Sequence, residues 1–137
     1  AVLGLAAVLS SAGGCTSSRV LDAPFSLVVL QAKRLYPETP MDFGDVVVRH
    51  GRDDDGQGLR IEQVARHVGP ERNLTRTTWI TVRELSERHT LLAVKVSTEH
   101  PPLGWLALWP YTQRSLSEEM DILDRIGQHV AAAAGLP

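Results

Sequence analysis

The residue with the most specific chemistry in this chain is its one cysteine, Cys15, in the stretch LSSAGGCTSS (residues 9–18). A single cysteine cannot form a disulfide within the chain, so this thiol must serve another purpose. Ala12, Gly13 and Gly14 precede it, and small side chains beside a peptide bond leave that bond accessible to a peptidase working at a membrane. The pattern indicates a thiol placed next to a processing site.

The segment before the cysteine, residues 1–14, has no charged residue, since the first one in the chain is Arg19. It opens with AVLGLAAVL, which is too short to cross a bilayer, where about 20 apolar residues are needed. Its length is that of the hydrophobic region of a secretory signal peptide. Neither Met nor a basic region precedes it, so we expect residues 1–14 to be a signal peptide whose start lies before residue 1.

A hydrophobic region that ends in small residues and a cysteine resembles the lipobox of bacterial lipoproteins. The resemblance implies cleavage just before Cys15 and acylation of its thiol, which would hold the protein at a lipid bilayer. The family usually has Leu where Ala12 stands here. The alternative is an ordinary signal peptide cut after Ala12, through the Ser10-x-Ala12 pattern, with Cys15 as an incidental free thiol.

The residues after Cys15 extend this resemblance. CTSSR is rich in small hydroxyl residues, so residues 15–21 are expected to be a lipidated tether, although residues 19–21 could add a short first strand. Asp22, Ala23 and Pro24 then open a predicted helix. The combination looks like small bacterial lipoproteins and like the helix-on-sheet domains of envelope assembly accessory lipoproteins. It implies a cell-envelope location facing the periplasm or the cell exterior, and a partner that is another envelope protein.

Other residue types that could do chemistry lack a supporting pattern. The RDDDGQG stretch resembles a calcium loop, but counting from Asp53 puts Val64 where a bidentate Glu is needed, so we expect a solvated hairpin turn. The sequence has no HExxH, G-x-S-x-G, C-x-x-C or phosphate-binding glycine loop. We therefore expect no catalytic residue, metal or cofactor. The histidines are spread along the chain, and two of them could face each other across strands: His67 and His89.

The segment PPLGWLALWPYTQ (residues 101–113) concentrates the aromatic residues Trp105, Trp109 and Tyr111. Trp and Tyr combine a large apolar body with a polar group, which suits membrane interfaces and binding hot spots. We predict an interaction patch here. The alternative is an edge strand or crossing loop whose rings pack on the core.

The remaining pattern predicts the elements that position these residues. Apolar spacing, Asp22 as N-cap and Pro37 as a stop favour a first helix over a strand through FSLVVL. The last helix has a predicted capping box of Ser115 and Glu118. Its predicted apolar stripe is Leu116, Met120, Leu123, Ile126 and Val130. Strands are predicted at residues 45–50, 59–68, 75–85 and 89–99.

These elements predict one α+β domain over residues 22–137. We expect a two-layer sandwich in which two helices pack on one face of an antiparallel sheet of three to five strands. The chain has 14 basic and 16 acidic residues without a basic run, which argues against a nucleic-acid partner. The expected function is a membrane-anchored envelope lipoprotein acting as a non-enzymatic accessory or interaction module. The alternative is a lipid or small-ligand carrier whose cavity is gated by residues 105–111. An enzyme is the third hypothesis.

Overall fold

The computed structural model describes residues 6–11, 14–41, 44–53, 56–68, 74–100 and 111–135. Within these ranges the chain forms strands and helices in an α+β arrangement, which confirms the predicted class. In chain order they are β1 (Ala6–Ser11), β2 (Gly14–Leu21), α1 (Phe25–Leu35), β3 (Val46–Arg52), β4 (Leu59–Val68), β5 (Leu74–Glu84), β6 (Thr90–His100), β7 (Tyr111–Arg114) and α2 (Leu116–Ala133).

The strands form one antiparallel sheet in the order β1-β2-β6-β5-β4-β3, with β7 also paired to β6. Strand β5 occupies one edge of β6 from Thr90 to Glu99. Strands β2 and β7 must therefore share its other edge, β2 along Thr90–Val94 and β7 along Ser97–His100. The sheet is thus six positions wide with seven strands, and the predicted count of three to five is wrong. The predicted strands did not include β1, which was assigned to the signal peptide, or β7, which overlaps the end of the aromatic segment, where a strand was only the alternative.

The core lies between the sheet and the helices. Alternate residues of β5 and β6 are fully buried, as the pleat of a strand requires: Ile80, Val82, Leu92, Val94 and Val96. Val28 and Ala32 of α1 belong to the same core as Leu123, Ile126 and Val130 of α2. Helix α2 contacts β6 and β2, and α1 contacts α2 and β5.

The first helix begins later than predicted. Pro24, not Asp22, stands at its N-cap position, with extended backbone angles. Pro24 fixes φ near the helical value and its carbonyl accepts the first hydrogen bonds, from the N–H groups of Leu27 and Val28. The helical interpretation of FSLVVL is confirmed.

Residues 15–21, predicted as a tether with a possible short strand, lie entirely within β2. Ser17 to Leu21 pair with β6, and Gly14 to Arg19 pair with β1. Ser17 and Ser18 are buried. Small hydroxyl side chains are typical of flexible linkers, which is why the sequence predicted a tether here. They also fit a crowded interior strand when their hydroxyl groups form hydrogen bonds with neighbouring elements.

Candidate functional site

The polar centre of the molecule lies where β2 gives way to β7 along the edge of β6. Val94 pairs with Ser17 of β2 and Ser97 pairs with Arg114 of β7, so Val96 falls in the gap between the two ladders. A gap in a ladder leaves backbone groups that need other partners. The Val96 carbonyl accepts a hydrogen bond from the N–H of Ser115 at 3.0 Å. Helix α2 begins at the next residue, Leu116.

Glu119 of α2 fills the gap with its carboxylate. Its Oε2 accepts from the Val96 N–H at 2.9 Å, and its Oε1 accepts from the Ser17 hydroxyl at 2.6 Å. The Arg114 guanidinium donates to the same carboxylate through Nε at 2.9 Å and Nη2 at 2.8 Å. Arg114 Nη2 also lies 3.3 Å from the Ser17 hydroxyl. One carboxylate therefore ties α2 to β2, β6 and β7.

The protonation of Glu119 follows from these contacts. Its side chain is 0% exposed, and burial by itself would raise the pKa. The hydrogen bonds from Arg114, Ser17 and the Val96 N–H, together with the Arg114 charge, outweigh burial and hold the pKa below its ordinary value. Glu119 is thus ionised near neutral pH with its oxygens occupied. This arrangement suits a structural anion and is poorly suited to a general base.

A cleft of about 250 Å³ opens beside this cluster, at the ends of β5 and β6. Most of the residues that line it have polar side chains, and these include Arg76, His100, Gln113, Arg114, Ser115 and Glu118. Arg76 Nη1 lies 3.2 Å from Glu118 Oε1, with both side chains 37% exposed. The Arg76 Nε atom is buried and has no hydrogen-bond partner in the part of the chain that the structure describes. Two arginines thus line the cleft, each paired with a glutamate, and the Arg76 Nε is a hydrogen-bond donor without a partner among the described residues.

The predicted capping box of α2 does not form. Ser115 stands at the N-cap position, but among the described residues its side chain makes no cap hydrogen bond. Glu118, the expected second member, pairs instead with Arg76 of β5. The ion pair across the cleft therefore replaces the local cap.

The RDDDGQG turn is not solvated at its first aspartate, contrary to the prediction. The Asp53 side chain is 4% exposed and pairs with Arg83 Nη2 at 3.2 Å. The Gly58 N–H donates to Asp53 Oδ1 at 3.3 Å. A Cβ at Gly58 would lie 2.5 Å from the Val82 carbonyl oxygen, so only glycine allows this approach. Asp53 fixes the β3–β4 connection to β5.

The structure describes only some of the site residues that were predicted from the sequence. Cys15 lies in β2 and its backbone pairs with Ser10, while its side chain lies outside the described part of the structure. Trp105 and Trp109 also lie outside the described residues. Tyr111 begins β7, where its backbone pairs with His100; its side chain is not described.

His67 and His89 do not face each other across the sheet. The Nε2 atom of His67 lies 4.0 Å from Asp45 Oδ1, and the Nε2 atom of His89 lies 3.7 Å from Asp22 Oδ1. The two histidines lie at opposite ends of the β4–β5–β6 region, because Arg66 pairs with Thr75 while Thr90 pairs with Glu84. The expectation that they could face each other is wrong. Across the described ranges, no three His, Cys, Asp or Glu side chains are grouped as a metal ion would need.

Sequence reasoning missed the Glu119 cluster, although a signal was present. Glu119 stands three and four residues before Ile122 and Leu123, and seven before Ile126, which is the spacing of one helix face. The sequence prediction instead placed Leu116 and Met120 on that face, and both are exposed, at 58% and 36%. An acidic residue in phase with an apolar stripe was the available indication of a buried ion pair.

Comparison with protein-family models, with curated proteins and with solved structures finds no match to this chain. In the described ranges, neither helix has the length and apolar character needed to cross a membrane.

Proposed function

We propose that this protein is a cell-envelope lipoprotein, held at a membrane by acylated Cys15, whose domain is a non-enzymatic interaction module facing the periplasm or the cell exterior. The observation that carries the proposal is the uncharged segment of residues 1–14 that ends in small residues and Cys15. A thiol carrying acyl chains binds lipid firmly, since each buried methylene contributes about 0.8 kcal/mol.

The structure adds a geometric consequence to this proposal. Cleavage before Cys15 removes β1 and leaves Cys15 as the first residue of β2. Ser17, two residues later, is buried and bonded to Glu119. The acylated residue therefore joins the sheet directly. In the finer architecture that we propose, both helices cover one face of the sheet as the second layer of a two-layer sandwich.

The charged groups with the deepest burial support a non-enzymatic role. Glu119 and Asp53 each accept several hydrogen bonds and each pairs with an arginine. A carboxylate whose oxygens are occupied in this way holds elements together and has little capacity to take a proton from a substrate.

The interaction partner is proposed to be another envelope protein, contacted through Trp105, Trp109 and Tyr111. Tyr111, at the end of this patch, pairs through its backbone with His100, which lines the polar cleft.

A second candidate is a carrier of a small ligand, and the cleft at Arg76 and Arg114 is the observation that favours it. Its volume of about 250 Å³, its two arginines and the unpartnered Nε of Arg76 among the described residues suit a small polar anion better than a lipid tail. Calorimetric titration with small carboxylates and inorganic phosphate would test this candidate. Heats that disappear in Arg76→Gln would support it, whereas equal heats for both proteins would count against it.

The experiment that tests the main proposal is metabolic labelling of bacterial cells with an alkyne fatty acid. We expect label on the wild-type protein and none on Cys15→Ser. In a matched control, Thr16→Cys is added to Cys15→Ser, which moves the thiol by one residue out of its context; we expect this protein to stay unlabelled. A wild-type protein without label, or a mature terminus at Gly13 by mass spectrometry, would contradict the proposal.

A further inference from the structure

One end of the domain lies next to the proposed site of acylation. Ser17 follows Cys15 by two residues, and its hydroxyl donates to Glu119 at 2.6 Å. A strand residue spans about 3.3 Å, so Cys15 lies within about 7 Å of Ser17 along the chain. We call this region the anchor end and define it by Ser17, Arg114 and residues 116–120. Arg114 completes it by contacting both Ser17 and Glu119.

The anchor end presents two large apolar side chains to its surroundings. Leu116 is 58% exposed, more than any other large hydrophobic residue among those described, and Met120 is 36% exposed. Residues four apart on a helix are surface neighbours, so Leu116 and Met120 form one patch. Glu119, which lies between them in sequence, points into the core and fixes this turn of α2 against β2 and β6.

We infer that Leu116 and Met120 insert into the interface of the lipid bilayer to which the chain is anchored. The inference rests on the proposed acylation of Cys15, which places this end against the membrane. Because the acylated residue joins the sheet directly, the anchor holds this patch near the bilayer, and its contact with lipid is intramolecular. Apolar side chains at such an interface lie about 5–10 Å deep.

The charges around the patch indicate which bilayer surface it fits. Glu118 lies on the same turn and pairs with Arg76 at 3.2 Å, so this ion pair brings no net charge. Asp121 follows Met120 and is exposed. The neighbourhood is thus neutral to acidic. Contact is therefore made by apolar insertion into a zwitterionic interface, without attraction to anionic headgroups.

The experiment uses the lipidated protein, purified from cells and reconstituted into phosphatidylcholine vesicles. An environment-sensitive fluorophore is attached to Met120→Cys, while the thiol of Cys15 is occupied by its acyl group. The matched control is Leu30→Cys on α1, where the native residue is also a large hydrophobic and 48% exposed. Vesicles are prepared with and without lipid that carries a nitroxide quencher in its acyl chain. If Met120→Cys unfolds, Leu116→Cys takes its place.

We expect a blue shift and strong quenching at position 120 and neither at position 30. Equal responses at the two positions, with mass spectrometry showing acylated Cys15, would overturn the inference and leave the proposed function standing. An N-terminal peptide without acyl groups would overturn both. A shift that grows with protein density and is insensitive to the lipid quencher would identify a second copy as the occupant, which also overturns the inference.

Discussion

The Glu119 carboxylate accepts the Val96 N–H at 2.9 Å, in the gap where neither β2 nor β7 pairs with β6. A helix side chain thus completes a hydrogen-bond ladder that two short strands leave open. The Ser17 hydroxyl and the Arg114 guanidinium complete its coordination from the strands on either side of the gap. Four elements depend on one side chain, so its replacement is the most direct test of the described architecture.

Glu119→Gln should lower the free energy of unfolding by about 1–3 kcal/mol, since it keeps an acceptor for Val96 but loses the charged pair with Arg114. Glu119→Leu should cost more, about 3–5 kcal/mol, because it leaves several polar groups without a partner. Urea unfolding at neutral pH measures both. Glu118→Gln is the matched control, and since its ion pair is partly exposed we expect a change below about 1 kcal/mol. Equal effects of Glu118→Gln and Glu119→Gln would contradict this account.

Acid should destabilise the protein through Glu119. The folded state holds its pKa below the ordinary value of 4.5, so the folded protein binds this proton less readily than the unfolded chain. The stabilisation is therefore complete above about pH 4.5 and is lost as the pH falls through the lowered pKa of the folded state. The stability difference between wild type and Glu119→Gln, measured by urea unfolding at decreasing pH, should shrink below pH 4.5. A difference that stays constant down to strongly acidic pH would rule out this linkage.

The parts of the fold that sequence predicts well are those with strong local patterns. Strand β4 begins and ends at the predicted residues, 59 and 68, because the turn-forming stretches RDDDGQG before it and GPERN after it mark both of its ends in the sequence. Glycine is typical of the position just after a helix, and Gly135, two residues after the end of α2, adopts a φ of 75°, which glycine accepts readily. The predictions fail where the partner is distant in sequence. Ser17 and Glu119 are 102 residues apart, and no local window relates them.

The apolar stripe of α2 gives a further test, because sequence and structure disagree about its first two turns. Ile126→Ala should lower the free energy of unfolding by about 2–5 kcal/mol, since Ile126 is fully buried in the core. Leu116→Ala should change it by about 0.5 kcal/mol or less, as expected for an exposed position. Thermal unfolding followed by circular dichroism distinguishes the two. A loss at Leu116 as large as that at Ile126 would restore the stripe predicted from sequence.

Gly58 and Gly51, near the two sides of the β3–β4 turn, form a matched pair. Gly58→Ala should destabilise the protein by about 1–3 kcal/mol, because the added Cβ would meet the Val82 carbonyl oxygen at 2.5 Å and the Asp53 carboxylate at 2.6 Å. Gly51→Ala meets no atom within 4 Å among the described residues and should be neutral or slightly stabilising. Denaturant midpoints measured in parallel provide the comparison. If Gly58→Ala is as stable as Gly51→Ala, Asp53 does not fix the turn in the way described.

A chain that starts at residue 15, with Cys15→Ser to remove the thiol, should fold. Every described residue of the hydrophobic core lies at or after Leu21, and the contacts of Ser17 with Glu119 and Arg114 are retained. Loss of β1 opens the β2 edge, while β2 keeps its pairing with β6 along Ser17–Leu21. We expect cooperative thermal unfolding and a far-ultraviolet spectrum of mixed helix and strand.

A matched chain that starts at residue 22 lacks β2 and the Ser17 hydroxyl, and should unfold at a clearly lower temperature. If the two truncated chains are equally stable, β2 does not hold α2; if the longer one is unfolded, residues 1–14 belong to the domain and removal of a signal peptide before Cys15 is ruled out.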